Sequence, residues 1–206
     1  MYTSQIIVDD FLLNPLEIRE RALNLDYREP KTQKNYPGIN SRQRLDYPGL
    51  DNLVSELTGE QVVGSTAENA HGHCRVSLNG DDNRRKLQIH IDFGLVWAGL
   101  LYLTLPESCQ GGTEFYRHLE SASDRAPIYP DELKAAGVQN YAEAGLSIIK
   151  KDSNDPLKWA HISTVPMRFN RLVLLRPWFY HTAGPSFGDR IENGRLVQLF
   201  FFEGVS

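Results

Sequence analysis

Apolar positions along the chain fall first in helical spacing and later in short, strand-length runs. Residues 5–13 (QIIVDDFLL) read as a short strand or lead-in. Asn14-Pro15-Leu16-Glu17 supplies a capping residue, a proline for the first helical position and an acid three residues past the cap. Together these predict a helix to about Leu25. Pro30, Pro37, Gly38, Pro48 and Gly49 mark residues 30–50 as loop, and a second short helix is predicted across Leu50–Leu57. From about residue 61, runs at 73–79, 86–91, 97–105, 112–117, 171–176 and 195–202 each have strand length and turn residues at their borders. This texture predicts a mainly β chain, an antiparallel sandwich or jelly roll with helices packed outside it. Residues 118–170 interrupt the series. They are polar, hold Pro127, Pro130, Pro156 and Pro166, and carry helix signals at 131–136 and 140–149, with Asp155-Pro156 capping a further short helix through Trp159. An insertion this long between strands reads as a lid over a pocket. The expected organisation is one domain over 1–206, with a helical part at 1–60 and a lid-like segment at 118–170.

Length and charge narrow the reading. A chain of 206 residues is long enough to bury a sizeable core. A net charge of −4 weighs against nucleic acid as the main partner, since phosphate binding comes with clustered excess Lys and Arg. Cys74 and Cys109 are the only cysteines, which fits a reducing compartment better than a disulfide scaffold. The N-terminus lacks a basic stretch followed by an apolar run, and no segment approaches the ~20 apolar residues of a membrane span. A cytoplasmic protein is the expectation, and the oligomeric state is not legible.

The candidate chemistry lies in Ile89-His90-Ile91-Asp92-Phe93. On an extended backbone residues i and i+2 share a face, so His90 and Asp92 can reach one ion. Downstream, Trp178-Phe179-Tyr180-His181 adds a second imidazole after the apolar strand Arg171–Arg176. Two histidines and a carboxylate on one side of an iron leave positions open for a bidentate 2-oxo acid and dioxygen. His-x-Asp alone arises by accident too often to carry this reading.

The flanking text gives it weight. Asp92 is followed by Trp97-Ala98-Gly99-Leu100-Leu101-Tyr102-Leu103 and then Gly111-Gly112-Thr113-Glu114-Phe115. Later come Asn170-Arg171-Leu172-Val173-Leu174-Leu175, His181-Thr182-Ala183-Gly184-Pro185 and Gly194-Arg195-Leu196-Val197-Gln198. This ordered series, over roughly 73–117 and 168–203, resembles the prolyl-4-hydroxylase-like branch of the 2-oxoglutarate/Fe(II) oxygenases. The resemblance implies a double-stranded β-helix (cupin-like jelly roll) with His90, Asp92 and His181 as ligands of Fe(II) and 2-oxoglutarate as co-substrate. It further implies hydroxylation of a C–H bond in an unidentified small-molecule or peptide substrate, consuming dioxygen and yielding succinate and carbon dioxide. The carboxylate at Asp92 favours hydroxylation over halogenation, because halogenating relatives put a small residue there. The family's co-substrate arginine falls on Arg195, which opens the last strand, or on Arg190, nine residues after His181. Arg195 is preferred, with a planar fork suited to the distal carboxylate. Tyr102 is a candidate helper hydroxyl, although a core role for it is expected and the family tyrosine can align instead with Leu101.

Other clusters weigh less. His71-Gly72-His73-Cys74 offers zinc-type ligands, but no second cluster completes a site, and 73–77 reads as a strand whose inward side chains touch substrate at most. Trp97, Trp159 and Trp178 read as core, although Trp178 and Tyr180 sit close enough to His181 to line the pocket, while Arg117, His118 and the helices of 118–170 are expected to shape substrate choice. No phosphate loop or His-Glu-x-x-His helix is present. The alternative to an oxygenase is a cupin-like metal- or ligand-binding module without catalysis; a hydrolase using metal-bound water is a third.

Overall fold

The structure is a computed structural model that describes residues 1–27, 36–66, 70–84 and 89–205. The chain opens with β1 (Gln5–Val8), α1 (Pro15–Leu23), β2 (Ile39–Arg44), α2 (Leu50–Thr58), β3 (Val62–Gly64) and β4 (His73–Ser77). β5 (Trp97–Tyr102), β6 (Gly112–His118), α3 (Pro130–Ala136) and α4 (Tyr141–Asp152) follow. β7 (Trp159–Pro166), β8 (Leu172–Leu175), β9 (His181–Thr182) and β10 (Arg195–Gly204) complete it.

A major sheet runs β1-β8-β5-β10-β4-β2, with β3 added along the far end of β10. A minor sheet runs β7-β6-β9. All pairings are antiparallel. The apolar runs explain why the inner strands are where they are. Every residue of β8 (LVLL) is fully buried, because the strand has packed layers on both faces. Leu172 and Leu174 join α1 and α2 in one core, while Val173 and Leu175 turn to the minor sheet. β10 divides likewise: Leu196, Phe200 and Phe202 face the helices, and Val197 and Leu199 face the space between the sheets. A third cluster, with Ile91, Ala126, Ile149, Trp159 and Tyr180, packs the outer side of the minor sheet against α4.

The layers are therefore helices, major sheet, minor sheet and a helical cover, the jelly-roll arrangement expected from the strand texture. Two segments differ from the sequence reading. Residues 30–50, read as loop, contain β2, and residues 118–170, read as a lid-like insertion, contain β7 as well as α3 and α4. β7 pairs with β6 along its whole length, and α4 buries its small face on Ile91, so this segment is part of the frame. Of the strand expected at 86–91, residues 86–88 lie outside the described residues, as do residues 30–35 of the expected loop.

Candidate metal centre

His90 and His181 exchange backbone hydrogen bonds: His90 N–H donates to the His181 carbonyl at 2.9 Å, and His181 N–H donates to that of His90 at 3.0 Å. Two residues on, Asp92 N–H donates to the Pro177 carbonyl at 2.9 Å. This short extended stretch sends alternate side chains to opposite sides. Ile91 is buried beside α4, while His90 and Asp92 both turn to the space between the sheets. His181 arrives on β9, held against β6 through the pairs Glu114–Thr182 and Phe115–His181. The turn that follows depends on Gly184, whose φ is +72° and whose Cβ position would lie 2.3 Å from the Gly112 carbonyl oxygen.

One donor atom from each of His90, Asp92 and His181 lies within 4.8 Å of the others. Asp92 Oδ2 is 3.5 Å from His181 Nε2, and the two imidazole rings are 4.4 Å apart. His181 Nδ1 lies 2.8 Å from the Phe179 carbonyl. A carbonyl can only accept, so the ring proton sits on Nδ1 and the Nε2 lone pair faces the cluster, as a metal-ligating histidine requires. Burial opposes ionisation of Asp92, but His181, His90 and Arg75 outweigh it and hold the carboxyl below its usual range. Burial also opposes a charged His181; Asp92 and the Phe179 carbonyl nonetheless raise its pKa. The donor set, its tautomer and its charge balance fit a divalent cation.

The cluster opens on a cavity of about 440 Å³ walled by β2, β4, β5 and β10 as well as by the metal-binding side. Deep between the sheets, Arg195 is 2% exposed, and its Nε and Nη2 have no hydrogen-bond partner among the described residues. Burial pulls its pKa down, and a buried cation with idle donors is costly unless an anion meets it. Tyr102 lies on the same face, its ring centre 5.9 Å from the Arg195 guanidinium and its hydroxyl 2.6 Å from Thr113 Oγ1. Thr113 lines the cavity, whereas Leu101 faces the helix-side core.

Other sequence-derived candidates fall elsewhere. Arg190 is exposed in the turn before β10, beside Asp189 and Glu192, and does not line the cavity. The chain between His181 and β10 loops outward there, which moves the position nine residues on to the surface. Trp178 packs against Tyr2 and Tyr141, and Tyr180 against Trp159, so both belong to the packed cluster and neither lines the cavity. None of the lining residues comes from 118–170. Arg117 is exposed, and His118 is buried 3.0 Å from Asp152. His118, Glu120 and Asp152 form a second cluster of potential ligands, but Asp152 is bound to His118 and Glu120 to Lys151. His71 and His73 bond to the backbone of Phe201 and Ser41, and Cys74 turns into the helix-side core. Sequence reasoning missed Tyr36, Asn40 and Arg75 as cavity residues. Only Arg75 left a signal: its neighbours Cys74 and Val76 are apolar, which fixes its face as the other one.

The fold is a jelly roll similar to that of solved 2-oxoglutarate-dependent enzymes. HygX from Streptomyces hygroscopicus, solved with nickel, 2-oxoglutarate and hygromycin B bound, matches with a TM-score of 0.54 at 12% identity, covering 98% of this chain and 84% of HygX. SnoN, a non-haem alpha-ketoglutarate-dependent epimerase from nogalamycin biosynthesis, matches with a TM-score of 0.52 at 12% identity, covering 98% of this chain and 78% of SnoN. No curated protein matches in sequence. The chain belongs to the Family of unknown function (DUF6445), whose profile matches residues 2–202.

Proposed function

We propose that this protein is an Fe(II)- and 2-oxoglutarate-dependent dioxygenase that hydroxylates a C–H bond of a small-molecule or peptide substrate. The observation that carries this reading is the convergence of His90, Asp92 and His181 at the wall of a cavity, from positions almost ninety residues apart. HygX binds nickel and 2-oxoglutarate on the same fold, which supports the co-substrate assignment.

In this reading His90, Asp92 and His181 hold the iron. Bound there, iron supplies dioxygen activation coupled to oxidation of 2-oxoglutarate to succinate and carbon dioxide. The protein's share is geometry. The Phe179 carbonyl fixes the His181 tautomer and ring plane. Arg195 grips the distal carboxylate of 2-oxoglutarate through its idle Nε and Nη2 edge, beside the Tyr102–Thr113 hydroxyl pair. Ala98, Leu100 and Leu199 keep the cavity wall apolar and exclude water.

The test is anaerobic titration with Fe(II) and 2-oxoglutarate. A weak visible charge-transfer band should form only when both are present, and Asp92→Ala should abolish both the band and succinate production. A protein that binds zinc tightly but gives no band and no succinate is instead a non-catalytic metal module, and the proposal fails.

A further inference from the structure

The cavity is lined by a half-buried cation, Arg75, that the metal chemistry leaves without a role. Arg75 sits mid-β4 between Cys74 and Val76, which face the helix-side core, so its side chain enters the space between the sheets. Register places it opposite Val197, with Arg195 two residues further along β10 on the same face. Its Nε donates to Asn40 Oδ1 at 2.6 Å across the β2–β4 pair. The guanidinium lies 5.0 Å from the centre of the Tyr36 ring, and that ring stands edge-on to His90 at 5.1 Å. Asn40 and Tyr36 thus fix the plane of the fork and leave its two Nη groups available. Among the described residues, neither Arg75 nor Arg195 has a carboxylate within ion-pair distance. Burial, with Arg195 adding to it, holds the Arg75 pKa at about 10, so Arg75 is charged at neutral pH.

Charge counting shows what is lacking. In the reading above, a divalent metal and Arg195 offset Asp92 and the two carboxylates of 2-oxoglutarate. Arg75 remains over, half-buried and with no ion-pair partner among the described residues; the carboxylate that acts on it, Asp92, is already claimed by the metal, so a further anion would be favoured there. A cavity of about 440 Å³ is at the small end for ligand sites, so beside the co-substrate it suits a molecule of amino-acid size. Phe93, Leu95, Leu199 and Phe201 make much of the remaining wall apolar. We propose that the primary substrate is a small carboxylic acid with an apolar body, and that Arg75, set by Asn40 and Tyr36, binds its carboxylate through both Nη groups. This rests on the oxygenase reading.

Calorimetric titration of the protein loaded with Mn(II) and saturating 2-oxoglutarate tests it without turnover. The probes are L-leucine, L-phenylalanine and hexanoate, each beside its primary amide. At least one acid should bind about ten-fold or more tightly than its amide, the margin of a charge-assisted bidentate contact. Arg75→Gln should erase that margin while leaving the affinity for 2-oxoglutarate within about two-fold, whereas Arg195→Gln should weaken 2-oxoglutarate itself. Arg75→Lys, which keeps the charge but not the fork, should lose part of the margin and serves if the glutamine variant does not fold. The proposal is overturned if the loaded wild type prefers none of the three acids to its amide, or if Arg75→Gln weakens 2-oxoglutarate as much as Arg195→Gln does. A wild type that binds neither Mn(II) nor 2-oxoglutarate brings down the oxygenase reading, and this inference with it.

Discussion

Ile91 stands between His90 and Asp92 in sequence but turns away from them, into the cluster under α4. What it meets there is Gly145, and a Cβ built on that glycine would lie 2.0 Å from Ile91 Cδ1 and 3.1 Å from Cγ1. Glycine in mid-helix costs about 1 kcal/mol relative to alanine, so its presence in α4 has to be weighed against that contact. Relieving that contact requires the Ile91 side chain to move, and Ile91 has a metal-binding candidate on each side. Gly145→Ala should therefore lower Mn(II) affinity about ten-fold while changing the melting temperature little, the helical gain offsetting the strain. Ile91→Val removes the colliding carbon and should restore affinity in the double variant, a coupling that a double-mutant cycle measures directly. If Gly145→Ala binds Mn(II) like the wild type, α4 does not position the metal-binding pair.

At the scale of elements, the strands marked by long apolar runs are inner strands, while β1, an edge strand, read as a short strand or lead-in. The apolar runs at 97–105, 112–117, 171–176 and 195–202 became β5, β6, β8 and β10 with small shifts at the ends. β2 (INSRQR) and β7 (WAHISTVP) were not legible, because both are edge strands whose sequences, unlike the QIIV of β1, carry no apolar run. Such an edge strand packs one face at most and keeps charged or polar residues on its free side. The same contrast governs the site. His90, Asp92 and His181 could be found from the order of their flanking strands. Tyr36 lies outside any periodic segment and reaches the cavity only through the tertiary fold. α3, by contrast, was legible, and it is held by one side chain. Glu132 accepts from the backbone N–H groups of Ile128 and Tyr129 at 3.0 and 3.2 Å, and pairs in bidentate fashion with Arg125 at 2.9 and 2.7 Å. Arg125 foremost, with those N–H groups, holds its carboxyl at about 2, against an ordinary value of 4.5. The folded pKa is depressed, so the stabilisation is whole above about pH 4.5 and drains away as pH falls towards 2. The carboxylate is partly exposed and screened by solvent, so Glu132→Gln should cost only about 1 kcal/mol at pH 7. Urea unfolding of both proteins at pH 7 and pH 3 should show the gap narrowing in acid, and an equal gap at the two pH values would remove the charge from the explanation.

Across the whole molecule, the two halves of the proposed co-substrate site belong to different layers. His181 is on the minor sheet, with His90 bridged to it, while Arg195 and Arg75 are on the major sheet. Between the sheets lies the core of Tyr102, Phe115, Val165, Val197 and Leu199, which joins the layers without any strand pairing between the two sheets among the described residues. A molecule held by the metal at one end and by Arg195 at the other would tie the sheets together, and its effect on stability should show that dependence. A ligand that binds only the folded state at about 100 times its Kd adds ~2.7 kcal/mol, which for a chain of this size is roughly 5–10 °C in melting temperature. Mn(II) alone should raise the melting temperature through His90, Asp92 and His181. 2-Oxoglutarate alone should do little, because one of its two attachments is missing, and together the two should exceed Mn(II) by several degrees. Arg195→Gln should keep the metal increment and lose the one added by 2-oxoglutarate, since it removes the anchor on the major sheet and leaves the minor sheet intact. Thermal shift scans of the two proteins with each ligand singly and with both decide the matter. Stabilisation by 2-oxoglutarate that ignores the metal, or that survives Arg195→Gln, would mean that the co-substrate does not bridge the layers through these groups.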